Sequence, residues 1–427
     1  MSDQKEKDGE FAALVGWDWA DESHEVRLLT ASGEIERSTI AQSPNGLHEW
    51  VQKQRERFEG RKVAIAIEQS RGPVVYALMA YDFVVLYPIN PKSLAKFREA
   101  LRPSKAKDDP TDAELLLELV AKHREKLKAW KPEDEGAREL RMLVEYRRDA
   151  VDERTRHTNR LESLLKLYFP QALQWAGDLN EIHACDFLKT WTNLEELKAA
   201  GTEGLRKFFS KQGRKRKTIE RLLQEISEAS SLTTDGAVLR STGMMVQMTV
   251  RQVRELTESI EEFNKRIEEL FASHPDHDLF ESFPGAGKVL APRLSAVMGT
   301  DRARYTSPEE VQEFSGIAPV TERSGKSKWT HRRYACPRFL HQTFVEYARQ
   351  TISRSAWARA YYLGCRRRGK GHNAALRALA FKWIRVIYRC WKDRVPYDEQ
   401  AYQATLARRG SPLAREINNL ATLALAD

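Results

Sequence analysis

The N-terminal quarter of the chain contains short apolar runs separated by turn signals. Two runs with alternating apolar and polar positions flank the turn Ala31-Ser32-Gly33, which is typical of a β-hairpin. The predicted strands cover residues 12–19, 24–30, 34–40, 62–69 and 83–87. The predicted helices between and after them cover residues 47–58, 73–81 and 93–101. Antiparallel strands followed by alternating helices and strands predict a mixed α/β domain.

From about Arg138 onward the apolar positions recur at helical spacing. One long, heavily charged helix is predicted to end near Pro170, and a second follows after a less regular segment, residues 177–243. The second helix has apolar residues at alternating spacings of three and four, a heptad pattern that predicts pairing with the first helix or with another subunit. These seam residues are Val253, Leu256, Ile260, Phe263, Ile267 and Leu270.

The predicted fold class is therefore α/β plus α. A chain of 427 residues is too long for one hydrophobic core, so several domains are expected. We predict an α/β domain over residues 1–135, a helical coiled-coil connector over 136–275 with the basic insertion 177–243, a mostly helical domain over 276–395, and a tail over 396–427.

Composition excludes several classes of protein. The apolar stretch 74–89 is interrupted by Asp82 and is too short to span a bilayer, so no membrane association is expected. The N-terminus, MSDQKEKDGE, is too polar for a signal peptide. Four cysteines without a CxxC pair are typical of reduced thiols in a cytoplasmic protein.

Positive charge is concentrated late in the chain. Residues 321–400 contain 19 Lys and Arg against 5 Asp and Glu, whereas the whole chain has a net charge of +9. Aromatic residues interleave this basic window, a pattern that favours a nucleic-acid surface over a merely solvated helical face with core aromatics, and seven of them are singled out here. These residues are Trp329, Tyr334, Trp357, Tyr361, Tyr362, Trp383 and Trp391.

Acidic residues accompany the strands of the α/β region, whose element order is that of an RNase H type domain. Asp18 lies in the first strand, Glu68 ends the fourth, and Asp109 and Asp112 open a further helix, one turn apart on the same side. Neighbouring strands and a helix packed on them would bring the four carboxylates together. Carboxylate oxygens suit Mg²⁺ or Mn²⁺, and two such ions about 4 Å apart stabilise phosphoryl transfer.

Each acid also has an ordinary structural interpretation. An unpaired carboxylate buried between Trp17 and Trp19 would be costly, which favours a ligand role for Asp18. Glu68 could instead form a turn, and Asp109 could simply cap the helix that Pro110 opens. Spacing alone does not decide between these interpretations.

Two glycine-containing segments resemble phosphate loops. The stretch 282–288, SFPGAGK, lacks the first Gly and the final Ser or Thr of a Walker motif, so nucleotide hydrolysis is disfavoured. Gly285 and Gly287 could still present backbone N–H groups to a nucleic-acid phosphate, or form a tight turn without a ligand.

The second segment is the basic loop around Ser324, where Val320 replaces the Gly that a Walker motif needs. Arg323, Lys326 and Lys328 could hold a phosphate beside Ser324, with Ser327 as the reserve nucleophile. On chemistry alone, a surface serine is the simpler interpretation.

Together these motifs resemble the DEDD transposases of insertion sequences, the bridge-RNA-guided recombinases. The residues that carry the resemblance are GWDWA around Asp18, AIEQS around Glu68, DPTDA from Asp109, PGAG from Pro284, and GIAP followed by RSGKS around Ser324. It covers residues 11–391, and the combination in this order is specific. Segment 177–243, the tail after Val395 and the sequence GHNAALR at 371–377 depart from the common form.

The resemblance implies a RuvC-like N-terminal domain with a DEDD metal site at Asp18, Glu68, Asp109 and Asp112. It also implies a C-terminal domain whose nucleophile is Ser324, which would form a phosphoserine with DNA. Further implications are a structured guide RNA that pairs with target and donor DNA, and a dimer that becomes a tetramer on DNA. The heptad seam is suited to that assembly.

Two other functions remain open at the level of sequence. One is a metal-dependent, structure-specific nuclease of the Holliday-junction resolvase type, and the other is a non-catalytic RNA-binding scaffold. All three need a nucleic-acid surface. We expect it to include Arg214, Lys215, Arg216, Lys217, Gly285, Gly287, Arg323, Lys326, Lys328, Arg332, Arg333, Arg366, Arg367 and Arg368.

Overall fold

The computed structural model describes residues 10–68, 71–101, 109–325 and 327–424. It divides the chain into two compact units, Met1–Pro132 and Glu133–Asp427. Within the described ranges, no helix combines the length and the apolar character needed to cross a membrane. All four cysteines lie in these ranges, and none of them is in a disulfide.

The first unit is built on a five-stranded sheet. Its strands are β1 (Ala13–Asp18), β2 (Ser23–Thr30), β3 (Ile35–Ala41), β4 (Val63–Ile67) and β5 (Val84–Pro88). Its helices are α1 (Pro44–Arg57), α2 (Pro73–Leu78), α3 (Pro91–Leu101) and α4 (Asp109–Lys122), followed by a 3₁₀ turn at Arg124–Lys126. The strand order is β3-β2-β1-β4-β5, with β1 to β3 antiparallel and β4 and β5 parallel to β1. The mixed α/β fold predicted for this region is confirmed.

Alternate residues of the central strands face opposite sides of the sheet. Val15 and Trp17 in β1 belong to a core that includes residues of α1 and α2. Ala64 and Ala66 in β4 belong to a second core that includes Leu116 and other apolar residues of α4. Because side chains along a strand point to the two faces in turn, the helices cover both faces.

The second unit is mostly helical, as predicted. Its helices are α5 (Glu135–Tyr168), α6 (Ala172–Trp175), α7 (Ile182–Thr190), α8 (Leu194–Ala199), α9 (Gly201–Lys211), α10 (Arg216–Glu228), α11 (Gly236–Ala272), α12 (His277–Glu281), α13 (Gly287–Met298), α14 (Pro308–Phe314), α15 (Arg338–Thr351), α16 (Ala356–Arg367), α17 (His372–Asp393), α18 (Glu399–Arg408) and α19 (Pro412–Ala424). Two strands, β6 (Val320–Ser324) and β7 (Ser327–His331), form a hairpin.

Local caps fix where the two longest helices begin. The carboxylate of Asp134 accepts a hydrogen bond from the Ala137 N–H at 2.9 Å, just before α5. The carboxylate of Asp235 accepts from the N–H groups of Ala237 and Val238 at the start of α11. Each cap satisfies backbone donors that have no partner inside the helix.

The two long helices run antiparallel and pair within the chain. Arg147 donates to Asn264 at 2.5 Å and Arg154 donates to Thr257 at 3.3 Å, so contacts move down α11 as they move up α5. The seam residues Val253, Ile260 and Ile267 are buried inside the single chain. The predicted pairing of this seam with the first long helix is therefore confirmed, and these three residues are covered by that helix rather than exposed to another copy of the chain.

The segment 177–243, which the apolar pattern left less regular, contains a packed helical core. Its short helices bury Phe187, Leu197 and Phe209 completely. Phe187 and Phe209 stack with ring centroids 6.1 Å apart. The segment therefore folds against the long helices rather than forming an irregular insertion.

The seven aromatic residues singled out in the basic window differ in how far they are exposed. Trp357, Trp383 and Trp391 are completely buried, and each indole N–H has a partner, so these residues are core and not nucleic-acid contacts. Trp329 and Tyr334 are exposed to 48% and 78%, respectively. Tyr361 and Tyr362 are half-buried, so only Trp329 and Tyr334 of the seven retain the exposure expected of a stacking surface.

Candidate active site

Two of the predicted acids lie at the C-terminal ends of two neighbouring central strands of the sheet. β1 and β4 are parallel, and their register pairs Trp17 with Ile67. Asp18 ends β1 and Glu68 directly follows β4, so the same register places them side by side. Neighbouring strands are about 4.8 Å apart, which is close enough for two carboxylates to share an ion.

A glycine lets helix α4 sit directly on this strand. A Cβ atom on Gly16 would lie 2.1 Å from the carbonyl oxygen of Ala113 and 2.4 Å from the backbone nitrogen of Leu117. No other residue type can be accommodated at such a backbone approach without a shift. Because Asp18 is two residues after Gly16, it faces the same side as α4, where Asp112 precedes Ala113.

Asp112 is almost completely buried and is held by an arginine. Arg98 in α3 donates to both carboxylate oxygens, from Nε at 2.7 Å and from Nη2 at 2.5 Å. The Asp112 side chain is only 1% exposed. Such a bidentate pair is one of the stronger side-chain interactions and fixes the carboxylate in one orientation.

A further carboxylate lies opposite Asp18 on the other neighbouring strand. The antiparallel register pairs Asp18 with Glu25 in β2. Glu25 accepts hydrogen bonds from Arg27 at 3.2 Å and from Thr39 at 2.6 Å. Arg27 is itself buried at 3% exposure, so a cation accompanies the acids on this part of the sheet.

The donor set partly fits the predicted magnesium or manganese site. The sheet brings Asp18 and Glu68 together, and carboxylates are the ligands that hard divalent ions prefer. Among the residues that the structure describes, no group of three His, Cys, Asp or Glu side chains is arranged to hold an ion. The side chain of Asp109 lies outside this description, so the four-acid site stays a prediction.

Ser324 lies in a β-hairpin and not in the flexible loop that the sequence suggested. It ends β6 and pairs with Ser327, the first residue of β7. Gly325 follows with φ +56°, a left-handed conformation that suits a tight two-residue hairpin turn. Both serine side chains are exposed. Lys326 lies outside the described residues.

The hairpin has no buried face and carries paired cations. Arg323 and Lys328 occupy directly opposite positions, next to the pair of serines. Like charges at opposed positions of two strands destabilise the pairing unless an anion lies between them. A two-stranded hairpin without a packed face is also only marginally stable in water. The hairpin is therefore suited to binding an anionic partner.

The other predicted nucleic-acid contacts fall in different environments. Arg332, Arg366, Arg367 and Arg368 are exposed, whereas Arg333 is half-buried. All five remain predicted contacts.

The basic run at the start of α10 contains residues in two different environments. Lys215, Arg216 and Lys217 are exposed. Arg214, by contrast, donates to the carbonyl oxygen of Trp175 at 2.7 Å, and its guanidinium lies 5.1 Å from the centroid of the Phe209 ring. Burial lowers the pKa of Arg214. Its guanidinium therefore stabilises the helical core, whereas its three neighbours are free to meet solvent.

The PGAG segment forms the turn between α12 and α13. Gly285 has φ +76°, and a Cβ atom there would lie 3.3 Å from the Gln350 carbonyl oxygen. Gly287, with φ +51°, begins α13. Close packing against α15 accounts for Gly285, and phosphate binding by Gly285 and Gly287 stays a prediction.

Sequence reasoning missed Arg98, Glu25 and the role of Gly16. A glycine inside a strand pattern is a recognisable sign of close backbone approach, so Gly16 could have been found. Arg98 and Glu25 carry no such sign, because their roles depend on which elements become neighbours in the fold.

Comparisons with known proteins match two segments of the chain, one with predicted acids and one with the predicted serine. Residues 15–170 match the transposase family DEDD_Tnp_IS110, and this segment contains Asp18, Glu68 and Asp112. Residues 277–363 match the family described as Transposase IS116/IS110/IS902, and this segment contains Ser324.

Several proteins of insertion elements are similar over most of the chain. A mini-circle protein of IS117 from Streptomyces coelicolor is 28% identical over 93% of this chain and 98% of its own length. The 44.8 kDa protein of insertion element IS116 from Streptomyces clavuligerus is 25% identical over 89% of this chain and 94% of its own length. The 43.6 kDa protein of insertion element IS110 from Streptomyces coelicolor is 26% identical over 70% of this chain and 74% of its own length. The chain is thus similar to transposase proteins over most of its length and matches a transposase family model in each of two segments.

Proposed function

We propose that this protein is an IS110-family transposase that cuts and rejoins DNA through a covalent bond to Ser324. One observation carries the proposal. On a hairpin that has no packed face, two exposed serines lie opposite each other, and the neighbouring pair of opposed residues is two cations. The two transposase matches support the function at the level of the family. They do not favour a structure-specific nuclease.

In the proposed reaction, the Ser324 hydroxyl oxygen attacks the phosphorus of a DNA phosphodiester. The bond from serine oxygen to phosphorus forms as the bond from phosphorus to a deoxyribose oxygen breaks. The hydroxyl proton passes to a base, and the departing oxygen takes up a proton. A hydroxyl of the new partner strand then attacks the phosphoserine, which rejoins DNA and restores Ser324.

Arg323 and Lys328 would hold the non-bridging oxygens of that phosphate. They lie directly opposite each other, one position from the serines, so a phosphate there would relieve their mutual repulsion. Charge-assisted hydrogen bonds to these oxygens would strengthen as negative charge develops during attack.

Asp18, Glu68, Asp109 and Asp112 would hold Mg²⁺ or Mn²⁺, which supplies Lewis-acid polarisation of the phosphate. The parallel pairing of β1 and β4, which places Asp18 and Glu68 side by side, supports this assignment for these two acids. Asp112 would have to share or give up its bond to Arg98, because both of its oxygens accept from that guanidinium.

The remaining features of the proposal concern assembly and targeting. The five-stranded sheet and the DEDD match are consistent with a RuvC-like domain over residues 1–135, with the serine domain at 276–395. We propose that a structured guide RNA selects the target and donor DNA by base pairing. We also propose that a dimer, or a tetramer on DNA, combines the acids of one subunit with Ser324 of another.

The test is capture of the covalent intermediate. Purified protein is incubated with Mg²⁺, element-end DNA and copurified RNA, and the products are separated on a denaturing gel. We expect a protein–DNA adduct for the wild type, no adduct for Ser324→Ala, and an adduct for the matched control Ser327→Ala. Both serines are exposed at opposed positions, so neither change should affect folding.

Three results would contradict the proposal in different ways. An adduct that depends on Ser327 and not on Ser324 would transfer the role to the neighbouring serine. Free nicked DNA from Ser324→Ala would indicate hydrolysis by water, as in a nuclease. Unchanged activity in both Asp18→Asn and Asp112→Asn would indicate a scaffold without catalysis at the acids.

A further inference from the structure

A cavity of about 500 Å³ lies immediately after the serine hairpin. This volume falls within the range of roughly 300–1,000 Å³ that is usual for small-ligand sites. The cavity lies between the segment that follows β7 and one side of α15. The lining residues that matter here are Arg332, Tyr334, Arg338, His341, Gln342 and Glu346.

Tyr334 offers an aromatic face to solvent at this cavity. The residue is 78% exposed, the largest exposure among the large hydrophobic residues of the described ranges. The guanidinium of Arg332 lies 5.4 Å from the centroid of the Tyr334 ring, so one face of the ring is already stacked with a cation. The opposite face of the Tyr334 ring can therefore stack with a planar ligand.

A neutral histidine orients Arg332. The Nδ1 atom of His341 lies 3.2 Å from the Ser315 carbonyl oxygen and must donate to it. Its Nε2 atom is then an acceptor, and it receives Arg332 Nη2 at 3.3 Å. Burial, with the nearby charges of Arg332 and Arg377, lowers the pKa of His341, which keeps the acceptor available at neutral pH.

The charge balance of the cavity favours an anion. Its one lining carboxylate, Glu346, is neutralised by Arg293 at 2.5 Å and Arg148 at 3.1 Å. Within the part of the chain that the structure describes, neither Arg332 nor Arg377 has a carboxylate partner. Arg332 lines the cavity, and Arg377, which is not a lining residue, lies near enough for its charge to act on His341. An uncompensated guanidinium beside an exposed aromatic ring matches the combined charge and shape of a nucleotide.

We propose that this cavity binds one unpaired nucleotide, with its base on Tyr334 and its phosphate on Arg332. The proposal rests on the proposed function, since the nucleotide would belong to a strand that the adjacent hairpin handles. A base inside a duplex is stacked between its neighbours and cannot reach Tyr334 without leaving the helix. The cavity therefore distinguishes unpaired from paired strands without reading sequence.

The test compares binding of short fluorescent oligonucleotides by fluorescence anisotropy over a range of salt concentrations. The probes are single-stranded DNA, single-stranded RNA of the same sequence, and the corresponding DNA duplex. The variants are Tyr334→Ala, Tyr334→Phe and Arg332→Ala. The matched control is Tyr146→Ala, which removes an aromatic ring that is 51% exposed on α5.

We expect Tyr334→Ala to weaken single-strand binding by roughly 5- to 100-fold with an unchanged salt dependence, because stacking carries no net charge. Tyr334→Phe should keep the wild-type affinity, since the ring is retained. Arg332→Ala should weaken binding and lower the salt slope by about 1, as expected for a lost phosphate contact. Duplex binding should change little in Tyr334→Ala.

Equal loss of duplex and single-strand binding in Tyr334→Ala would overturn the proposal, as would an effect no larger than that of Tyr146→Ala. Absence of single-strand binding by the wild type would overturn it as well. The ratio of the Tyr334→Ala effects on DNA and RNA identifies which strand occupies the cavity. If Tyr334-dependent binding is found without any Ser324 adduct, the proposed function fails and the nucleotide site stands.

Discussion

The acid site of the first unit and the serine hairpin of the second place their charged groups in opposite environments. Asp112 is 1% exposed and has a bidentate partner, whereas every residue of β7 is exposed and Arg323 faces another cation. The fold has already satisfied the buried carboxylate. The opposed cations Arg323 and Lys328 of the hairpin, by contrast, would gain a counter-charge from an anionic ligand. This contrast separates residues whose loss should unfold the protein from residues whose loss should affect binding and reaction alone.

The largest expected effect on stability is that of Arg98→Ala. The change leaves the Asp112 carboxylate buried without its partner, at a cost of about 3–5 kcal/mol in the free energy of unfolding. Arg37→Ala is the matched control, because Arg37 pairs at 3.4 Å with Glu114, which lies on α4 like Asp112. This pair is solvent-exposed, with side chains that are 71% and 37% exposed. It should cost no more than about 1 kcal/mol. Urea unfolding of the full chain measures both.

The same pair of variants tests the proposed ion site. If Asp112 binds a divalent ion, Mg²⁺ should restore part of the stability that Arg98→Ala loses, and Asp112→Asn in that background should abolish the restoration. A cost for Arg98→Ala as small as that of Arg37→Ala would show that Asp112 regains water without its arginine. The contrast between the paired carboxylate of Asp112 and the opposed cations of the hairpin would then not hold.

Gly16→Ala should have the next largest effect. Its new methyl group would meet the backbone of α4, so the helix must shift, at a cost of about 1–3 kcal/mol. Gly204→Ala is the control, because its Cβ atom would meet nothing closer than 3.8 Å and an alanine inside a helix is favourable. Thermal unfolding should show a lower midpoint for the first and an equal or higher midpoint for the second. A neutral Gly16→Ala would mean that α4 does not sit tightly on β1.

Lys328→Gln tests the hairpin side of the comparison, with a small effect on stability and a clear effect on binding. Removing one of two opposed cations should stabilise the strand pairing by about 0.2–1 kcal/mol, which slower amide hydrogen exchange in the hairpin would report. DNA binding should weaken, with a salt slope lower by about 1. Lys265→Gln, an exposed cation on α11, is the charge-matched control. Equal binding losses for the two variants would indicate a diffuse charge effect.

The smallest effect is a loss of stability in mild acid, expected in both units. Burial lowers the pKa of His24 in the first unit, and of His274 and His341 in the second, below 6.5. The unfolded chain therefore binds protons more readily, and stability present above pH 6.5 is lost as pH falls through the folded-state values. His24 also donates to Gln42 at 2.6 Å while its other nitrogen accepts from the Ala20 N–H, an arrangement that only the neutral ring can make.

The measurement is the urea midpoint between neutral pH and about pH 5, for wild type and His24→Gln. The variant should lose less stability on acidification than the wild type. An identical pH dependence would show that the buried ring contributes nothing to acid sensitivity in the first unit.

Sequence reasoning anticipated the strands and helices of the first unit and the two long helices of the second. It was less successful with side-chain partners. The heptad seam of α11 correctly indicated a buried stripe, but the pattern left open whether the partner was the first long helix or another subunit, and the structure pairs it with α5 of the same chain. The late tryptophans follow a pattern that suits nucleic-acid binding, but three of them fill the core. A periodic pattern shows that a face is buried, without showing what covers it.

The order and kind of the elements can be predicted from the chain alone, because hydrophobic periodicity, caps and turn residues act over a few neighbouring positions. It also determined which carboxylates and which serine were candidates for chemistry. The approach of Asp18 to Glu68 could be expected from the predicted strands, but the folded structure was needed to show that Glu25 lies across from Asp18 and that Arg98 holds Asp112. Those contacts depend on strand register and on how the helices pack on the sheet, including the close approach of α4 to Gly16. No local pattern contains that information.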